Sequence, residues 1–251
     1  MEKQSLAKQA VNQGLRVELI VPHNSGNLTF LHPAYGPSTY ADVGLAIDKY
    51  QLKRPTMAET ASLVHAYLDR RYSTEIEDAM NQRKWLWGFT GTLYVPKEGV
   101  FIQDNPEIRE GIPFMDKGSL EQKLNSNDPS VRYVPFESYH KIGLLSHLEF
   151  AKHPFAIGLV GEEGAEKLAR VAEEFGVKPY LGGMFYPRWL DKNQQYDENP
   201  VMRFSTISFV GCKLFGFGLG VLGDYEGGGS SGRAFGVLKN QAKIVAPKSN
   251  T

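Results

Sequence analysis

Phe215-Gly216-Phe217-Gly218-Leu219-Gly220-Val221-Leu222-Gly223 carries the pattern G-x-G-x-x-G at Gly218, Gly220 and Gly223. A dinucleotide fingerprint needs a strand before it, a helix opening on its last glycine, and an acidic residue about 20 positions on. Val201 to Phe215 is rich in β-formers and supplies the strand. The helix is missing. Asp224-Tyr225-Glu226 leads into Gly227-Gly228-Gly229-Ser230-Ser231-Gly232, a run of poor helix formers, and no acidic residue follows Glu226. The ladder is therefore strand. Alternation puts Gly216, Gly218 and Gly220 on one face and Phe215, Phe217, Leu219 and Val221 on the other. A bare glycine face implies close approach of a helix, a second sheet or a subunit, or a flat ligand lying on the backbone.

The segment after the ladder can be read three ways. Gly228, Ser230 and Gly232 spell G-x-S-x-G, but a nucleophile elbow needs a helix after the serine, and Phe235-Gly236-Val237 starts one poorly. Its backbone N–H groups could instead form an anion nest backed by Arg233. The composition itself describes a flexible surface loop. If the chain acts on a small anionic ligand, Arg188 and Arg233 are the clamping candidates, with Gly228 and Gly229 contributing backbone donors. Asp224 would be the base and Ser230 a possible nucleophile.

Upstream, helix starts are marked by capping boxes at Thr56-Met57-Ala58-Glu59, Thr74-Glu75-Ile76-Glu77 and Ser119-Leu120-Glu121-Gln122. Met57, Ala61, Val64 and Leu68 then make an apolar stripe at helical spacing. Ala165, Leu168, Ala172 and Phe175 make another, stopped by Gly176. Ser138 to Lys152 reads as a helix ending before Pro154. Strands are expected at Leu15–Val21, at Phe155–Val160, at Val177–Leu181, and at Trp85–Val95 with Val100–Gln103 across a Pro96-Lys97-Glu98-Gly99 turn. Val201–Leu222 reads as two strands or one bent one, and Arg233–Val245 as strand or helix. Pro22–Ser38 and Tyr186–Pro200 look irregular. The segregation of helices and strands implies α+β: a mixed or largely antiparallel sheet covered by several helices. A single domain over residues 1–251 is expected, with a weak boundary near 105–118.

Composition sets the outer limits. The chain has 251 residues, 41% hydrophobic and 22% charged, with Lys+Arg and Asp+Glu at 28 each. Zero net charge disfavours a nucleic-acid coat or an anionic membrane as the main partner. A local basic face is still available at Lys53-Arg54, Arg70-Arg71 and Arg83-Lys84. A single cysteine, Cys212, excludes an intrachain disulfide framework and fits a reducing, cytoplasmic setting. No apolar signal core opens the sequence, and no run is long enough to span a bilayer.

Other residue patterns carry weaker chemistry. His140 and His147 share a helix face but stand two turns apart, about 10 Å, too far for one metal. Together with His153 they read as ordinary core-edge histidines, and neither a metal nor a cofactor is expected. Trp85 and Trp87 alternate on a strand and could stack bases, although an aromatic row on a buried sheet face is much commoner. No catalytic constellation is complete. The leading expectation is a binding or assembly module that self-associates through its glycine-faced C-terminal sheet. The alternatives are an enzyme on a small anion using residues 224–233, and a nucleic-acid accessory protein using the Trp85/Trp87 strand.

Overall fold

A computed structural model of the chain describes residues 16–70, 72–80, 85–109, 112–139, 142–183, 201–212, 216–225 and 232–239. The architecture is α+β, built on a large mixed sheet. β1 (Val17–His23) and β2 (Gly26–Ser38) form an antiparallel hairpin. β3 (Trp85–Val95) pairs with β4 (Gly99–Asp104) across the expected turn, and β4 pairs with β7 (Val131–Pro135). β10 (Val201–Cys212) and β11 (Gly216–Tyr225) make a second hairpin against the other side of β3. β9 (Pro179–Gly182) runs parallel to β11, and β8 (Gly143–Leu144) completes that flank. β12 (Gly232–Val237) inserts between β2 and β3, antiparallel to the first and parallel to the second. Among the described residues, the hairpin of β5 (Glu107–Arg109) and β6 (Ile112–Phe114) is the one strand pair off the main sheet, and it falls in the 105–118 stretch.

The sheet is covered on both faces. On one side α2 (Met57–His65), α3 (Ser73–Met80) and α7 (Pro154–Glu174) bury Leu86, Ile207, Leu219, Val221 and Phe235. On the other, α1 (Tyr40–Lys49) brings Tyr40, Val43 and Ile47 onto Trp87, Phe89 and Ala234. A smaller core joins α4 (Lys117–Asn125), through Leu120, to Leu93, Phe101 and Val131. Trp87 has no exposed surface, and its indole N–H donates to Ser38 O at 3.3 Å. It therefore belongs to the core and offers no stacking face.

The glycine ladder runs as strand through Gly223 to Tyr225, so no helix N-terminus faces a phosphate. Leu219 and Val221 point at α7. Gly223 shares that face, where an added Cβ would lie 2.7 Å from Phe155 Cζ. Its carbonyl accepts from Thr92 Oγ1 at 2.6 Å and from Tyr94 Oη at 3.0 Å. Close helix approach explains this last glycine. Gly220, on the opposite face, is buried within the chain.

Several local expectations are corrected. Phe155–Val160 is the first part of α7, not a strand. Pro154 sits at its first position and His153 caps it, Nδ1 accepting from Phe155 N at 3.1 Å. Gly161, at φ 75°, kinks that helix just after the stretch expected as strand. Ser138–Lys152 is not one helix. It breaks into α5 (Phe136–Tyr139), β8 and α6 (His147–Lys152), the last opened by a Ser146/Glu149 capping box. Asp116, not Ser119, caps α4, accepting from Ser119 N at 2.8 Å. Pro22–Ser38 is ordered as the β1–β2 hairpin, turned by Asn24 at φ 48°. Tyr186–Pro200 lies outside the described residues.

Candidate functional site

Of the residues singled out as site candidates, Arg233 alone has a described side chain. Asp224 has a described backbone in β11, while Arg188, Gly228, Gly229 and Ser230 lie outside the described residues. Arg233 is the second residue of β12, in register with Leu86 of β3. Its neighbour Gly232 faces the other way, where an added Cβ would collide with Trp87. The backbone of β12 is thus held close over the indole, which fixes the direction in which Arg233 leaves the strand.

The Arg233 guanidinium is half-buried, and its Nε is fully buried without a hydrogen-bond partner. Among the described residues no carboxylate pairs with it. On the same sheet face, His32 of β2 stacks beside Phe235 at 6.2 Å, and its Nδ1 is also buried without a partner. Burial pushes the His32 imidazole below its ordinary value, against the smaller opposing pull of Glu75 and Asp78. A guanidinium never deprotonates in a protein, so Arg233 presents a fixed positive charge and unused donors. A buried polar group without a partner costs free energy, and each such group requires an explanation.

Strand register separates Arg233 from Asp224. Tyr225 stands opposite Phe204, and Phe204 opposite Gly91. Arg233 stands opposite Leu86, five positions earlier on β3. That is about 15 Å along the strand, and the three strand spacings from β12 through β3 and β10 to β11 add about 14 Å across it. One small anion cannot touch both groups, so the pairing of Asp224 as base with Arg233 as clamp does not assemble directly.

A second cluster resembles catalytic machinery and was not foreseen from sequence. Ser62 Oγ of α2 lies 2.9 Å from His23 Nδ1 and 3.0 Å from Lys167 Nζ. Its residues are dispersed along the chain, so no spacing signal marks it. Ser62 is only 2% exposed. Asn24 Nδ2 donates to His23 Nε2 at 3.1 Å, which leaves the ring proton on Nδ1, so the imidazole donates to Ser62 rather than accepting from it. Lys167 also donates to Ser62, to Pro22 O at 3.0 Å, and to Glu163 at 2.5 Å. A serine hydroxyl that accepts from two donors has no base. The cluster is a clasp that fastens the β1–β2 turn to α2 and α7.

The histidines predicted to be structural have such roles where they are described. His147 Nε2 donates to Val177 O at 2.8 Å, and His153 caps α7. No group of three or more metal-ligating side chains occurs among the described residues. Likewise no helix among them is long and apolar enough to cross a membrane.

No protein-family model matches the chain, and no curated protein matches it. The architecture is similar to that of a solved chain from a study of how the C-type lectin fold accommodates massive sequence variation in Nanoarchaeota. The TM-score is 0.52 at 17% identity, over 81% of this chain and 97% of that one. At this identity the likeness is one of fold.

Proposed function

We propose that the protein is a non-catalytic binding module that uses Arg233 to hold an anionic group. The observation that carries the reading is the half-buried guanidinium with no partner of its own. Planar Arg donors suit a carboxylate or phosphate, and a bound anion would supply the missing acceptor. The fold likeness supports a binding role, because the related chain comes from a scaffold described as tolerating massive sequence variation. Gly228, Gly229 and Arg188 belong to this reading as further donors to the same anion. The test is a titration with sulfate or phosphate followed by melting temperature. Wild type should gain stability beyond the general salting-out effect, and Arg233→Gln should lose that excess. Equal responses from the two proteins would end the proposal.

The finer form of the reading adds self-association through the C-terminal sheet. β11 is flanked by β10 and β9, so a second copy would meet its face rather than its edge. Light scattering on wild type and Gly218→Val tests it. A monomeric wild type, or a mutant of unchanged mass and stability, counts against association through this face.

A further inference from the structure

A cleft of about 410 Å³ opens beside the C-terminal end of α1, at the far end of β12 from Arg233. Its volume lies in the range of small-molecule sites, about 300 to 1,000 Å³. Three stretches build it: residues 48–54, from the last turn of α1 onward, residues 105–108, from the β4–β5 turn into β5, and Lys239 just past β12. Backbone bonds hold these walls together. Lys53 N donates to Val237 O at 2.8 Å, and Val237 N returns to Lys53 O at 2.9 Å. Phe89 N donates to Pro55 O at 2.7 Å, and Asn105 N to Phe89 O at 2.6 Å. The cleft is therefore largely pre-formed.

Its lining divides by chemistry. Half-buried Ile108 and the edges of buried Leu52 and Pro106 supply a small apolar patch. Most of its charges are already matched. Arg54 Nε reaches both Asp48 carboxylate oxygens at 3.0 and 3.1 Å, Glu107 is held by Arg109 at 2.8 Å, and Lys53 pairs with the buried Glu59. Lys239 has no such partner among the described residues and is exposed. Among the described residues, the uncompensated charge of the cleft is therefore a single ammonium beside that apolar patch.

We infer that this cleft binds a small amphipathic anion: an apolar body resting on Leu52, Pro106 and Ile108, with its carboxylate or phosphate at Lys239. The pairs Arg54–Asp48 and Lys53–Glu59 fix the rim so that it neither collapses onto the ligand nor competes for Lys239. The cleft shares no residue with the Arg233 position, so either reading can fail alone.

The test uses butyrate as probe and butyramide as its neutral near-isostere, followed by backbone amide shifts of the full chain. Butyrate should shift Lys53, Asn105 and Ile108 saturably at about millimolar concentration, as expected for so few atoms. Butyramide should bind about fivefold or more weakly, and Lys239→Gln should cost butyrate a similar factor, because a charge-assisted bond is lost. Arg233→Gln should leave these shifts unchanged. Substituting inorganic phosphate for butyrate asks whether the head group suffices without the apolar body. Phosphate equal to butyrate, butyramide equal to butyrate, an indifferent Lys239→Gln, or no saturable shift would each overturn the inference.

Discussion

Arg132 and Arg233 are both partly buried strand arginines, and their surroundings treat them in opposite ways. Arg132 on β7 bonds through all three of its guanidinium nitrogens. It reaches Asp104 through two bonds at 2.7 and 2.9 Å, and Gly158 O at 2.6 Å. Asp104 in turn accepts from Thr90 Oγ1 at 2.7 Å, and Thr90 receives the Met57 N–H at 3.0 Å, at the start of α2. One guanidinium thus joins β7, β4, β3, α2 and α7. Arg233 on β12 joins nothing among the described residues. The Lys167 clasp behaves like Arg132. The contrast separates charges that assemble the scaffold from a charge held ready for something else.

Substitutions can break this contrast at its strong end first. Arg132→Met should destabilise the protein by about 2 to 3 kcal/mol, because it strands Asp104 and the Gly158 carbonyl. A denaturant midpoint unchanged from wild type would show that the pair is ornamental. Thr56→Ala should cost about 1 kcal/mol, since both halves of its capping box are formed, with Thr56 N donating to Glu59 Oε2 at 2.9 Å.

Acid should loosen the same scaffold. His23, His32 and His65 are all held below the ordinary imidazole value, chiefly by burial. The unfolded chain then binds protons more readily than the folded one. Stability is full above the ordinary imidazole range and falls as pH drops through it. Melting temperatures from pH 7.5 to 5 should decline, and less steeply in His32→Gln. A flat profile would contradict this. The smallest effect is expected at the weak end. Arg233→Met should change stability by no more than about 0.5 kcal/mol, or raise it, because it removes a partly buried charge that has no partner. A loss as large as that of Arg132→Met would mean that Arg233 is scaffold after all.

Sequence revealed the parts of the fold that local chemistry dictates. The Thr56 box and its stripe of Met57, Ala61 and Val64 form as expected, with Leu68 packing just past the helix end. The β3–β4 hairpin and the β10–β11 pair also form. Phe155–Val160 was misread because a short apolar run fits a buried helix as well as a strand. β2 was hidden by Pro33 and Pro37, which read as breakers yet sit within a strand. Among site residues, Arg233 was legible as an arginine after a glycine run. Its separation from Asp224 was not, because that depends on sheet order. The Ser62 clasp and the 410 Å³ cleft join distant segments, and no local pattern announces them.

The position of β12 has a consequence in time. Because Gly232–Val237 lies between β2 and β3, the N-terminal hairpin cannot join the rest of the sheet until that late segment has been made. During synthesis, β1 and β2 must wait beside an unfinished neighbour, and Phe30 lacks the Phe235 ring that packs edge-on against it at 6.5 Å. Non-local pairings of this kind slow folding and expose apolar surface in the interim. The emerging chain should therefore be most vulnerable to misassociation just before residue 232 leaves the ribosome, and much less so once β12 has closed the gap.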